Sequence, residues 1–367
     1  MKITSIEIYK MPVLLKEPFV ISLGPQNSAD NIVIKINTTE KIIGFGECSP
    51  YMSINGESID TCFIVAQYLA KVLKNKSPLK IEDCIHTMNK TIYGNNSIKS
   101  AFDMALYDIA SQYANMPLYK FLGGSKDKII YTDMTVGLGP AEKMAADALR
   151  FKNEGFQSIK VKLGTTAIDD IERIKKIREA IGYEIPLRID ANQGWNVTTA
   201  IEILNTLKPF EIEHCEEPIP RWNFMNLATV KNKSPIKIMA DESCCDQHDA
   251  KTLLELNACH YLNIKLGKSG GIFNALEIIQ LANEKNIQLQ IGSFMESRLA
   301  TTAFAHFALC SDLIVHYDLD TPLMFSSDPI SGGIMYKEKG IIELPNTNGI
   351  GATIEQEYLD KLEKIIC

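Results

Sequence analysis

After Lys128 the chain falls into an alternation that few folds can use: short runs of β-formers, each followed by a stretch with apolar residues at helical spacing. Eight such runs are legible, at residues 131–136, 159–163, 187–190, 212–215, 236–240, 261–266, 289–291 and 314–317. Strands alternating with helices make parallel βα units, and eight is the number at which such a sheet closes on itself. The expected fold is therefore α/β, a (β/α)8-type, modified TIM barrel, over residues 126–325.

The first 125 residues follow another pattern. β-rich segments at 3–11, 31–37 and 42–48 suggest a small antiparallel sheet, and helical periodicity follows at 59–73 and 97–114. Pro117 and Gly123-Gly124 mark the boundary. An α+β capping domain over 1–125 is expected, completed by the tail 326–367, whose Ser331-Gly332-Gly333 turn would bring it back onto the first domain.

Composition excludes several classes of function. Hydrophobic residues make up 46% and charged residues 23%, too apolar for a disordered or fibrous chain. The net charge of −7 and the scattered basic residues offer no footprint for nucleic acid or an anionic membrane. The N-terminal residues do not read as a signal peptide, and no apolar run is long enough to span a bilayer, so a cytoplasmic enzyme is expected. The nine cysteines are irregularly placed with no C-x-x-C pair, which argues for reduced thiols over disulfides or zinc; Cys244-Cys245 would point to opposite faces of a strand.

Ionisable residues recur at the ends of successive runs. Lys162 to Asp190 spans 28 residues, Asp190 to Glu216 26, Glu216 to Asp241 25, and Asp241 to Lys268 27, one strand, loop and helix each time. Carboxyl ends of barrel strands converge on one mouth, so these five groups should meet there, open to solvent. In Lys160-Val161-Lys162 the period of two puts both lysines on one face, where mutual repulsion should lower a lysine pKa toward a usable base. Asp190, Glu216 and Asp241 offer three carboxylates from adjacent strands, a donor set suited to a hard cation such as Mg²⁺. Lys268, in Lys265-Leu266-Gly267-Lys268-Ser269-Gly270-Gly271, falls across the mouth from Lys162.

Lys160-Val161-Lys162, Asp190-Ala191-Asn192-Gln193-Gly194-Trp195, Glu216-Glu217-Pro218, Ala240-Asp241-Glu242-Ser243 and Asn263-Ile264-Lys265 with Lys268-Ser269-Gly270-Gly271 together resemble the muconate-lactonizing subgroup of the enolase superfamily, nearly end to end. The resemblance implies one Mg²⁺ per subunit on Asp190, Glu216 and Asp241, and Lys162 and Lys268 as the two acid/base lysines. Within the subgroup, Gly292-Ser293-Phe294-Met295-Glu296-Ser297 and Asp318-Leu319-Asp320-Thr321-Pro322-Leu323 are most similar to dipeptide epimerases. It further implies that Asp318 and Asp320 bind a substrate α-ammonium, and that Thr135, Lys160, Asn192, Lys265, Glu296 and Gly24 complete the substrate contacts. Epimerases selective for alanyl-glutamate usually carry an arginine in the mobile N-terminal loop, where this chain has Gly24, so a broader side-chain pocket is equally open.

The implied activity is Mg²⁺-dependent inversion of the C-terminal α-carbon of a dipeptide, L-Ala-L-Glu or a broader L-Ala-L-Xaa. Segments 23–28 and 50–56 are expected to be the loops that close over the substrate, and the implied assembly is a homo-oligomer. Muconate cycloisomerisation and o-succinylbenzoate synthesis need the same metal and lysines but have no use for an ammonium site. A barrel that only binds a small acid is the non-enzymatic alternative.

Overall fold

The computed structural model describes residues 1–367. Eight parallel strands form one sheet in sequence order: Met134–Val136, Ile159–Lys162, Leu187–Asp190, Ile212–Glu216, Lys237–Ala240, Tyr261–Ile264, Gln288–Gly292 and Ile314–Asp318. The first and last meet where Asp133 N donates to Tyr317 O at 3.1 Å and Leu319 N to Thr132 Oγ1 at 3.0 Å, which draws the sheet into a barrel.

The strands are buried on both faces, but the two faces differ in chemistry. Val161, Ile189 and Cys215 alternate with the polar positions and belong to the large apolar core that the surrounding helices help to fill. Most of those helices bury one stripe, as in Ala141–Asn153, where Met144, Ala148 and Phe151 recur at spacings of four and three, whereas Arg298–Ala308 is buried nearly all round. Each fully enclosed aliphatic side chain contributes roughly 1.5–3 kcal/mol. The alternate strand positions carry Lys160 and Lys162, Arg188 and Asp190, and His214 and Glu216. Charges this deep persist only when paired, and Arg188 meets Asp133 at 2.9 Å and Glu213 at 2.7 Å.

Two details of the barrel differ from the sequence expectation. The run at 131–136 is split: Ile130–Tyr131 pairs with Ile341–Glu343 of the tail, and only Met134–Val136 enters the barrel. Only seven helical connections join the eight strands; after the eighth strand a short turn, Thr321–Met324, leads into the tail.

The N-terminal sheet has the order Lys364–Ile366, Ile3–Ile21, Gly24–Thr38, Ile43–Cys48, all antiparallel. Helices Ile59–Leu73, Ile81–Thr91 and Asn96–Tyr113 cover it, the first opened by a Ser58 capping box. The segment at 23–28, expected as a loop, is instead the start of a returning strand, because the first hairpin continues past Leu14 to a tight end at Ile21 and Gly24. This arm lies on the barrel. Ser326 N donates to Leu14 O at 2.9 Å, Leu138 N to Val20 O at 2.8 Å, and Ser22 Oγ to Asn192 O at 2.8 Å. Segment 50–56 holds a one-turn helix, Met52–Asn55.

The tail divides its contacts. Its last strand joins the N-terminal sheet, whereas Ile341–Glu343 adds to Ile130–Tyr131 and Ile334 N bonds Thr302 on the seventh barrel helix.

Candidate active site

Asp190, Glu216 and Asp241 stand at the ends of three neighbouring strands, and one carboxylate oxygen from each lies within 4.8 Å of the other two. All three are fully buried beneath the lysines that pair with them, so they do not stand open to solvent as expected. Their orientation is fixed from outside the trio. Asn192 N donates to Asp190 Oδ1 at 2.9 Å, Asn263 Nδ2 to Glu216 Oε1 at 2.6 Å, and Glu217 Oε2 accepts Asp241 N at 2.7 Å. An all-carboxylate donor set without nitrogen or sulfur suits a hard divalent cation.

Four lysines surround this trio. Lys160 Nζ lies 2.6 Å from Glu216 Oε2, 2.8 Å from Asp318 Oδ2 and 3.3 Å from Asp190 Oδ2. Lys162 Nζ lies 2.6 Å from Asp190 Oδ2, and Lys265 Nζ 2.8 Å from Asp241 Oδ2. Lys268 pairs with Asp241 Oδ1 and also donates to Asn263 O at 3.1 Å. Lys162 and Lys268 thus flank the trio from its two ends.

These contacts set the charge states. Burial alone would raise the Asp190 carboxyl, but Lys162 and Lys160 hold it below the ordinary range. Burial pushes Glu216 up to about 7 against the pull of Lys160. The lowered lysine pKa expected from repulsion between Lys160 and Lys162 is not what the geometry gives for Lys160. Burial disfavours its ammonium, yet Asp318, Glu216 and Asp190 together hold it well above its ordinary value. Asp241 does the same for Lys268 against burial.

Asp318 and Asp320 line a small cavity with Lys162, Lys265, Thr135 and Phe19. Asp320 Oδ2 accepts Thr135 N at 2.7 Å, and Lys160 takes Asp318 Oδ2, so an internal cation already meets part of the charge that two adjacent aspartates create. Burial, and then the Asp318 charge, raise Asp320 to about 7. Asp133 stands within 4.8 Å of both.

Two residues of the expected set lie elsewhere. Gly24 sits at the hairpin end with φ +121°, and a Cβ there would meet nothing within 4 Å; Phe19 is the arm residue that reaches the cavity. Glu296 is buried, but Oε2 turns back to accept Phe294 N at 2.6 Å, while Ser293, Phe294 and Met295 line the cavity in its place. The sequence motifs include Asn263 and Glu217 without giving either a role, and Asp133 falls in none of them. Asn263 stands two residues before Lys265, so period-2 alternation could have placed it beside the site; Asp133 lay hidden inside a run read as continuous strand.

Closely packed carboxylates flanked by lysines at the mouth of a parallel barrel define a divalent-metal enzyme that moves protons. The chain belongs to the enolase superfamily, in the mandelate racemase / muconate lactonizing enzyme family: residues 3–123 match the N-terminal domain of that family and residues 143–358 the enolase C-terminal domain-like family. It is 55% identical to a D-Ala-D/L-Ala epimerase of Cytophaga hutchinsonii over 365 residues, 100% of this chain and 99% of that one. It is 36% identical to a hydrophobic dipeptide epimerase of Enterococcus faecalis, across 96% of this chain and 99% of that one. The crystal structure of a Cytophaga hutchinsonii dipeptide epimerase complexed with Mg and D-Ala-L-Val superposes with a TM-score of 0.99, 55% identity and full coverage of both chains. The Enterococcus faecalis enzyme complexed with Mg and L-Leu-L-Tyr gives a TM-score of 0.93 at 35% identity, over 96% of this chain and 100% of that one.

Proposed function

We propose that this protein is a Mg²⁺-dependent dipeptide epimerase that inverts the α-carbon of the C-terminal residue. The observation that carries this reading is the placement of Lys162 and Lys268 at opposite ends of the Asp190, Glu216 and Asp241 trio, with Asp318 and Asp320 beside it. Asp190, Glu216 and Asp241 would hold the metal. When bound, Mg²⁺ supplies a hard positive charge that takes up the substrate carboxylate and acidifies the α-carbon next to it.

The chain's own residues do the rest. Asp318 and Asp320 receive the ammonium of the first residue, Asp320 ionising fully as a cation arrives. Lys265, packed over the Phe294 ring at 4.8 Å, adds positive charge on the Asp241 side, where negative charge develops on the substrate. One of Lys162 and Lys268, as the free amine, removes the α-proton; the other, as the ammonium, returns a proton to the opposite face. Because either lysine can play either part, the reaction runs both ways. Asn192 and Asn263 hold the Asp190 and Glu216 carboxylates in place, and Glu217 holds the Asp241 backbone.

The hairpin arm carries no arginine between Leu15 and Ser28 to meet a side-chain carboxylate, which favours an alanine-type or apolar second residue over glutamate. A cytosolic location fits nine cysteines of which none forms a disulfide, and no helix is long and apolar enough to cross a membrane. A homo-oligomeric assembly without nucleic acid completes the proposal.

The test is proton exchange in deuterated water with Mg²⁺, using Ala-Ala, Ala-Val and Ala-Glu with the first residue of either hand. A gain of one deuterium with loss of configuration at the second residue is expected for Ala-Ala and Ala-Val. A panel without any exchange overturns the reading.

A further inference from the structure

A cavity of about 630 Å³ lies against the first barrel strand, between the hairpin arm and the helix Ala141–Asn153. It is on the side where no helix follows the eighth strand, and the turn carrying Leu323 and Met324 forms its remaining wall. Its volume falls within the range of ligand pockets and far exceeds the roughly 30 Å³ that one water occupies. Nothing in the proton-transfer chemistry above uses it.

Phe19, Thr135 and Met324 wall both this cavity and the small one that holds Asp318, Asp320 and Lys162. Thr135 is the link: its N–H bonds Asp320, and the same residue borders the larger space. A group attached to the carbon that bears the ammonium at Asp318 and Asp320 therefore has this space next to it. The side chain of the second residue does not, because its α-carbon must lie between Lys162 and Lys268, and neither lysine borders the larger cavity.

We infer that this cavity is the subsite for the side chain of the dipeptide's first residue and that it takes large apolar side chains, well beyond alanine. This inference rests on the epimerase reading. The chemistry of the walls selects the class. Met134, Val136, Leu138, Phe151, Leu323 and Met324 give an apolar lining. The charges stand at the rim: Lys143 meets Asp147 at 2.7 Å, Arg150 meets Asp147 at 3.2 Å, Lys16 donates to Leu323 O at 2.8 Å, and Glu17 is exposed on the arm. A charged side chain would give up solvent for a mostly apolar wall, whereas a leucine or phenylalanine side chain would bury its surface against the lining.

The test compares kcat/KM for Ala-Ala, Leu-Ala and Phe-Ala, with the first residue of either hand, against Ala-Leu and Ala-Phe. It uses the parent enzyme and two variants with normal circular dichroism, Leu138→Trp to fill the cavity and Leu323→Ala to enlarge it. The parent is expected to turn over Leu-Ala and Phe-Ala at least as well as Ala-Ala. Leu138→Trp should lower the Phe-Ala to Ala-Ala ratio by about tenfold or more, mainly through KM, and leave the Ala-Phe to Ala-Ala ratio within about threefold of its parent value. Leu323→Ala should shift the first ratio upward. If Ala-Ala is epimerised while Leu-Ala and Phe-Ala are refused, or if Leu138→Trp moves both ratios alike, the subsite inference is overturned and the epimerase reading stands. If no dipeptide exchanges its α-proton, both fall.

Discussion

Lys162 Nζ lies 2.6 Å from Asp190 Oδ2 on the neighbouring strand, while Lys268, four residues beyond the end of the Tyr261–Ile264 strand, pairs with Asp241 at the other end of the carboxylate trio. The two amines are held apart by the same groups that would hold the metal. That arrangement gives a two-faced site, and the consequences can be measured.

Asp190→Asn, Glu216→Gln and Asp241→Asn should each abolish turnover and weaken Mg²⁺ binding. Because these carboxylates are fully buried and ion-paired, each variant should also be less stable, by roughly 3–5 kcal/mol where a lysine loses its partner. Calorimetric Mg²⁺ titration and urea unfolding check both parts. Parent-like affinity in all three would remove the metal assignment.

Lys162→Ala and Lys268→Ala should differ in hand. One should lose solvent exchange from the L configuration of the second residue and the other from the D configuration, with epimerisation falling by about 10³-fold or more in both. Exchange is followed by mass spectrometry on each pure epimer. A variant that exchanges both epimers at the parent rate has not lost its base.

Replacing Asp318 and Asp320 together by Asn should raise KM for dipeptides by at least about tenfold, since the ammonium loses its carboxylates. Mg²⁺ affinity should change little, and an N-acetylated dipeptide should already be a poor substrate for the parent. Equal turnover of free and acetylated dipeptides would count against the ammonium site and move a cycloisomerase-type reaction ahead.

His306 links three parts of the chain. It accepts Tyr119 N at Nδ1, 3.2 Å away, and its Nε2 lies 3.0 Å from Ile350 O, so the ring is neutral and donates there. Burial lowers its pKa from 6.5 to about 4. Below pH 6.5 the unfolded chain takes up a proton that the native state refuses until about 4, so this contribution is full above 6.5 and is lost as pH falls through that window. The loss should amount to roughly 3 kcal/mol. Tm measured from pH 7 to 4 should fall more steeply for the parent than for His306→Gln; parallel slopes would show that another group dominates.

The barrel was legible because its determinants are local. Each βα unit announces its strand by a short β-rich run and its helix by spacing such as Met144, Ala148 and Phe151, and strand alternation placed Lys160 with Lys162 on one face. The near-constant intervals from Lys162 to Lys268 told which residues end successive strands, because every unit spends about the same length on one strand and one helix. Whatever depends on contacts between distant segments could not be read this way. The hairpin arm beyond Leu14 carries few buried residues and gains its order from pairing and from bonds to residues 138, 192 and 326. The burial of the trio, the capture of Asp318 by Lys160, the placing of Asp133 and the turning away of Glu296 all follow from which side chains meet once the barrel closes. Local pattern fixes which face a residue occupies; only packing in three dimensions decides which charge stands next to it, and therefore its protonation and its role.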